Sequence, residues 1–322
     1  MKTAGTSLAA IFALAVCCGG DAAAQTYPTK PIRILVGFQP GGAVDISARL
    51  IAQKLGETIG QSVVVENRAG ASGNIAAELT AKAAPDGHTL FMANTTVATP
   101  SLFAKLPYDV TRDLAPVSLV AIGPSVLVVH PSIPARSVKE LIALARSQPK
   151  ALIYGSGGVG NITHLEMELL ASMAKLDMVH VAYKGGAPSI TGLLSGEVHL
   201  LFASIPSILS HIRTGRVRAL GVSTAKRNAA LPDVPTVSEA GVRGYDAASW
   251  YGVFAPAGVP KGVLDTLARE LVRIMAAPDV RTKFEADGFE PVGSTPEQFA
   301  SFVRSEIVKW EKTIKAANIR AQ

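Results

Sequence analysis

At 322 residues the chain is long enough for two domains of ordinary size, and 48% hydrophobic with 17% charged residues exclude a disordered chain. A formal charge of +6 favours acidic ligands. The Lys and Arg residues are dispersed and aromatics are only 6%, which leaves no basic, stacking face for nucleic acid.

Residues 1–24 read as a signal peptide. Lys2 precedes an apolar stretch from Leu8 to Val16, and Ala22-Ala23-Ala24 supplies a cleavage site before Gln25. The stretch is well short of the roughly 20 residues of a membrane span. Cys17 and Cys18, the only cysteines, fall inside this segment, so the exported chain has none and depends on its core. A lipid anchor on Cys17 would want a small residue where Val16 stands.

The first element of the mature chain is the run from Ile34 to Asp45. An apolar strand breaks into Gln39-Pro40-Gly41-Gly42 and then meets Asp45, expected to open a helix whose apolar positions are Ile46, Leu50, Ile51 and Leu55. Two readings fit: a tight turn with Asp45 as N-cap, or an anion site built on the N–H groups of the helix start. Ser62–Glu66 is the next strand, Asn67–Asn74 a glycine-rich loop and Ile75–Ala83 a short helix. After the Pro85-Asp86-Gly87 turn, Thr89–Ala93 forms a strand ending in the polar tip Asn94-Thr95-Thr96.

From Val117 to His130 two apolar runs meet at Gly123-Pro124, which reads as a crossing between lobes. Ser137 and Glu140 form a capping-box pattern at a helix start. Then come a strand at Ala151–Tyr154, a loop at Gly155–Gly160, a helix at Thr163–Met173, and strands at Met178–Val181, Val198–Phe202 and Val217–Ser223. Past the Pro-rich loop Leu231–Pro235 lies an aromatic strand, Ser249–Phe254, followed by three helices. Thr295 and Pro296 open the last helix, whose stripe of Phe299, Phe302, Val303, Ile307, Trp310 and Ile314 reads as core. Strand–helix alternation of this length implies two parallel α/β sheets with a cleft at the strand ends.

Gly155-Ser156-Gly157-Gly158-Val159-Gly160 fits G-x-G-x-x-G after a strand, but no acid for a ribose follows at the end of the next strand, His180 to Gly185. A small anion on the glycine N–H groups, helped by Ser156, Asn161 and His164, is the preferred reading; a secreted nucleotide-dependent enzyme is the alternative. Lys184 is either a countercharge or a solvated loop lysine, and Tyr183 either a cleft wall or core. There is no G-x-S-x-G, no cysteine nucleophile in the mature chain and no H-E-x-x-H spacing, so no metal or cofactor is expected, while an acid/base carboxylate pair stays open.

The runs YPTKPIRILVGFQPGGAVD (Tyr27 to Asp45), VVVENRAGASG (Val63 to Gly73), PDGHTL (Pro85 to Leu90), LPYD (Leu106 to Asp109), YGSGGVGNITH (Tyr154 to His164), HVAYKG (His180 to Gly185), LPDVPTVSEAG (Leu231 to Gly241) and STPEQF (Ser294 to Phe299) resemble the Bug, or TctC, family of periplasmic solute-binding proteins of tripartite tricarboxylate transporters. The resemblance implies a type II periplasmic-binding fold. Residues 25–123 with 225–322 would form lobe one and 124–224 lobe two, with a ligand enclosed at the hinge. It further implies a periplasmic, monomeric protein without catalysis that delivers a small di-, tri- or aromatic carboxylate to membrane transporter subunits; a ligand sensor is a variant of the same reading.

Carried over by motif, contacts would come from Phe38, Gln39, Pro40, Gly41, Gly42, Ala43 and Asp45, and from Asn94, Thr95 and Thr96 on lobe one. On lobe two they would come from Ser156, Gly157, Gly158, Asn161, His164, Tyr183, Lys184, Ala203 and Ser204. Many relatives have Asp where this chain has Ala203, which disfavours a ligand with an amino group. Because Asp45 is itself negative, it is expected to cap the helix and leave the backbone of Pro40–Ala43 to the ligand.

Overall fold

A computed structural model describes residues 27–103, 105–316 and 318–319. The signal-peptide reading of residues 1–24 lies outside the described residues. The chain folds into two sheets, each covered by helices, so the expected two-lobed α/β architecture is present.

The first sheet is built from β1 (Ile32–Val36), β2 (Val63–Asn67), β3 (Thr89–Asn94), β4 (Leu114–Gly123), β10 (Ser249–Pro256) and β11 (Glu290–Pro291), in the order β11-β4-β10-β3-β1-β2. The second holds β5 (Ser125–Val129), β6 (Ile153–Ser156), β7 (Val179–Ala182), β8 (Leu200–Ser204) and β9 (Arg218–Val222), in the order β7-β6-β8-β5-β9. Central strands read as near-continuous apolar runs because both faces are covered; β3, β5 and β10 are buried at every position.

The sheets are mixed, not parallel throughout as the alternation implied. β1 runs parallel to β2 and β3, and β6 parallel to β7 and β8, each reached by a helical crossover. In contrast, β10 is antiparallel to β3 and β4, and β5 antiparallel to β8 and β9. Each of these two strands arrives straight from the other sheet and so enters from the opposite end. Pro124 alone separates β4 from β5, which makes Gly123-Pro124 the first crossing. The second crossing comes later than residue 224. Val237 N–H donates to Val222 O at 2.9 Å and Ala247 N–H to Ser223 O at 2.9 Å, which keeps these residues on the second sheet until β10 begins.

The helices that matter for the cleft are α1 (Ala43–Ile59), α4 (Ile162–Ala174), α5 (Gly186–Leu194) and α6 (Ile205–Arg213). Between them in the chain lie α2 (Asn74–Ala81) and α3 (Val138–Ser147); α7 (Lys261–Ala276), α8 (Pro278–Ala286) and α9 (Pro296–Ala316) follow β10. On α9, Phe299, Val303, Trp310 and Ile314 are buried and Phe302 and Ile307 pack against that core, so the stripe is core as expected. Gly252 of β10 has a packing reason: a methyl there would lie 2.1 Å from the Phe299 ring.

Candidate functional site

Strands β1, β3 and β8 end, and α1, α4, α5 and α6 begin, around one cavity of about 40 Å³ between the sheets. Its first wall is Phe38, Gly42, Ala43 and Val44 of the β1–α1 turn, with Asn94 at the end of β3. The facing wall is Asn161, Ile162 and Thr163 of α4, Gly186, Ser189 and Ile190 of α5, and Phe202, Ala203 and Ser204 at the end of β8. Ser125, Ser249 and Tyr251 close it at the two crossings. A cavity this small suits a small molecule and not a dinucleotide.

Among the described residues no Lys, Arg, His, Asp or Glu lines this cavity. What it offers is donors. The N-caps of α1 and α5 are Gly42 and Gly185, and neither helix start has a side-chain cap. Their unbonded N–H groups and the positive ends of the helix dipoles therefore remain exposed to whatever occupies the cavity. The two starts face one another, since a methyl on Gly42 would lie 3.9 Å from the Gly186 nitrogen. Two positive helix ends held together repel, and an anion between them turns that repulsion into attraction. Glycine at position 185 is required on its own account, because its φ is +129°.

Side chains add to this. Asn94 Oδ1 accepts from Thr96 N–H at 3.2 Å and Asn161 Oδ1 from Thr163 N–H at 3.1 Å, so each amide has its NH2 left to donate. Ser125 Oγ and Ser249 Oγ are buried with no hydrogen-bond partner among the described residues, and both line the cavity. A buried hydroxyl without a partner is costly, so a ligand that satisfies both gains accordingly. Polar contacts between the lobes include Gln39 N–H to Lys184 O at 3.3 Å, Thr99 Oγ1 to Gly160 O at 3.4 Å, Asn228 Nδ2 to Gly288 O at 3.1 Å, and Ser72 Oγ to Val159 O.

The residues expected from the sequence separate into groups. Phe38, Gly42, Ala43, Asn94, Asn161, Ala203 and Ser204 line the cavity. Gly157, Gly158, Tyr183 and Lys184 instead line an adjoining opening of the cleft with Phe38, and Gln39 and Pro40 a shallower one with Tyr183 and Lys184. Lys184 is exposed, so it is no buried countercharge. Gly41, Thr95, Thr96, Ser156 and His164 line none of these.

Asp45 does not face the cavity either, and it is neither N-cap nor first residue of the helix. It is the third residue of the first turn and reaches back: one oxygen accepts from Gly41 N–H at 3.0 Å and Arg49 Nε at 2.9 Å, the other from Asn67 Nδ2 at 2.9 Å. Burial pushes its carboxyl up, but the bonds from Arg49, Gly41 and Asn67 together hold it below the usual carboxylate range. Its role is to fix the turn.

The glycine loop is also corrected. Its N–H groups serve its own structure: Gly157 donates to Thr163 Oγ1 at 2.9 Å, Gly158 to Ser156 Oγ at 3.2 Å and Gly160 to His164 Nδ1 at 3.3 Å. They are not the anion donors that the pattern suggested. Behind the loop, Tyr154, His180 and His164 stack, with ring centroids 4.7 Å apart for Tyr154–His180 and 4.3 Å for His164–His180. Ser156 Oγ contacts His180 Nε2 at 2.6 Å. Burial lowers both histidines to about 4, and His164 further lowers His180, so both are neutral near pH 7.

Val44, Ile162 and Thr163 fall within the loop spans the motifs marked, whereas sequence reasoning missed Ser125, Gly186, Ser189, Ile190, Phe202, Ser249 and Tyr251. A signal existed for the hinge pair: hydroxyl residues stand at the first position after the Gly123-Pro124 crossing and at the head of the aromatic strand.

Comparison with known proteins bears on this geometry. BugT of Bordetella pertussis is 36% identical over 316 residues, covering 96% of this chain and 97% of its own. Among solved structures, R. palustris Rpa4515 with adipate matches with a TM-score of 0.89 and 38% identity over 91% of this chain and 99% of its own. MatC (Rpa3494) from Rhodopseudomonas palustris with bound malate matches with a TM-score of 0.85 and 32% identity over 89% and 100%. Residues 47–319 match TctC, described as the tripartite tricarboxylate transporter family receptor, and the chain belongs to that family.

Proposed function

We propose that the chain is an exported, periplasmic solute-binding protein that encloses a small organic carboxylate between its lobes and delivers it to a membrane transporter. The observation that carries this is the apposition of the uncapped starts of α1 and α5 across a cavity without fixed charge. Such a site neutralises an anion with N–H dipoles and hydroxyls, and the two walls must come together to do so, so ligand favours the closed lobes. Structures similar to this one hold adipate and malate, both dicarboxylates, which supports the same class here. A nucleotide-dependent enzyme finds no support in the Gly155–Gly160 loop, whose N–H groups at Gly157, Gly158 and Gly160 are engaged.

A thermal-shift panel of dicarboxylates from malate to adipate, with aromatic acids and neutral analogues of each, tests this. One or more of the acids should raise the melting temperature. At a hundredfold excess over Kd the gain is about 2.7 kcal/mol. Stabilisation by neutral compounds alone would sink the carboxylate reading.

A further inference from the structure

Behind the hinge side of the cavity sits an acid that neither the core nor the ligand site described above uses. Glu166, on α4, is completely buried, and neither of its oxygens has a hydrogen-bond partner among the described residues. It lies where the two crossings join. Ser125 N–H donates to Ser223 Oγ at 2.9 Å, and Ser223 N–H returns a bond to Ser125 O at 2.8 Å. The Tyr245 hydroxyl donates to the Glu166 main-chain oxygen at 2.8 Å.

The groups facing the carboxyl are the Ser125 and Ser223 hydroxyls and the Tyr245 and Tyr251 phenols. On its own helix, Glu168 accepts from Tyr154 and His164 stacks on His180. Burial pushes Glu166 up to about 8, against the smaller downward pull of Ser125 and Ser223. Burial raises Tyr245 and Tyr251 as well, with the charge of Glu166 adding to both, so Glu166 is the first of this cluster to ionise as pH rises.

Ser125 connects this acid to the ligand, because its unpartnered hydroxyl both faces Glu166 and lines the cavity. We propose that Glu166 is a specificity-determining residue: as a neutral acid it donates to Ser125 Oγ and frees the Ser125 O–H for an anionic ligand, whereas as a carboxylate it accepts the Ser125 O–H, drawing that donor away from the ligand, and sets a negative charge behind the hinge wall. This rests on the carboxylate reading of the cavity. Anion binding and ionisation of Glu166 then oppose each other, so binding takes up a proton wherever Glu166 is ionised in the empty protein.

Calorimetry of the mature protein with the dicarboxylate that stabilises it most in the panel above tests this, at several pH values from about 6 to about 9. The affinity should be level below about pH 7 and fall by up to about tenfold per unit above about 8. Near pH 8 the binding enthalpy should depend on the buffer, which reports proton uptake. Glu166→Gln keeps the shape and cannot ionise; it should bind within a few-fold at neutral pH and lose both the slope and the uptake.

An unchanged slope in Glu166→Gln, or a wild-type affinity level to about pH 9, would overturn the role. If that variant does not fold, proton uptake by the wild type decides alone, and its absence overturns the role. Failure of every acid to bind at pH 6 would instead remove the carboxylate reading itself, and this role with it.

Discussion

Ala203→Asp should weaken dicarboxylate binding by about two orders of magnitude or more. Ala203 ends β8, is 4% exposed and lines the cavity between Phe202 and Ser204. A carboxylate there would face the ligand at close range. Two like charges about 4 Å apart at an effective dielectric constant near 20 repel by about 4 kcal/mol, more than the 2.8 kcal/mol of a hundredfold loss. The nearby helix starts would neutralise part of the new charge, which is why the expected loss is a lower figure than the bare repulsion.

Ala203→Asn separates charge from size and should stay within about tenfold of wild type, since an amide adds bulk and a donor but no charge. Calorimetry with both variants, each checked for an intact melting transition, reads the effect. Equal binding by the Asp and Asn variants would show that no anionic group lies near the end of β8. The Asp variant should instead gain affinity for ligands carrying an ammonium group, because its charge supplies the partner that the wild-type cavity lacks.

Folding stability should peak near pH 6.5. His164 and His180 are lowered to about 4 in the folded chain, against 6.5 without burial. Below 6.5 the unfolded chain takes up protons that the native state refuses, so stability falls until the native histidines titrate near 4. His164 is buried and contributes up to about 3 kcal/mol of this loss. His180 is more exposed and contributes less.

Glu166 acts in the opposite direction, because the native state holds its proton up to about 8 while the unfolded chain releases it near 4.5. Its stabilisation therefore drains away as pH rises from 4.5 to 8. Between 4.5 and 6.5 the two histidines outweigh the one acid and stability rises with pH; above 6.5 only Glu166 is changing and stability falls. Urea unfolding at half-unit intervals of pH measures the curve. A His164→Asn variant should flatten the acid limb without touching the alkaline one. A flat profile from about pH 5 to 8 would mean that the histidine stack is hydrated in solution.

Much of the architecture was readable because it follows from local rules. The break at Gly123-Pro124 inside a long apolar run can only be a turn or a crossing, and it is the crossing. The apolar stripe of α9 follows from its spacing alone, and Thr295 does cap it, accepting from Gln298 N–H at 3.3 Å. Less readable was the start of α1. A carboxylate in its first turn can cap as the N-cap or reach back from inside the helix, and the spacing of Asp45 fits both.

The glycine pattern at Gly155–Gly160 misled for a related reason. Thr163 and His164 lie within bonding reach of the loop once α4 begins, and no glycine motif says whether its N–H groups are already taken. Ser125 and Ser249 left only a faint signal in the sequence, because they are remote along the chain and meet only where β4–β5 and β9–β10 cross side by side. Glu166 was hidden altogether: on a helical pattern it is one more polar position, and only the packing of both crossings against α4 buries it.

In the proposed function the cavity holds an anion on helix starts and hydroxyls, with no charged side chain among the described residues that line it. Calorimetric titration of one dicarboxylate and its diamide at the same pH and ionic strength tests it most directly. The two ligands share size and shape, and the diamide lacks the charge and presents donors where the acid has acceptors. The acid should bind about a hundredfold more tightly, since two helix N-termini together contribute about 1–4 kcal/mol towards an anion. A diamide that binds as tightly as the acid would contradict the claim, because helix dipoles and donor hydroxyls would then not be what selects the ligand.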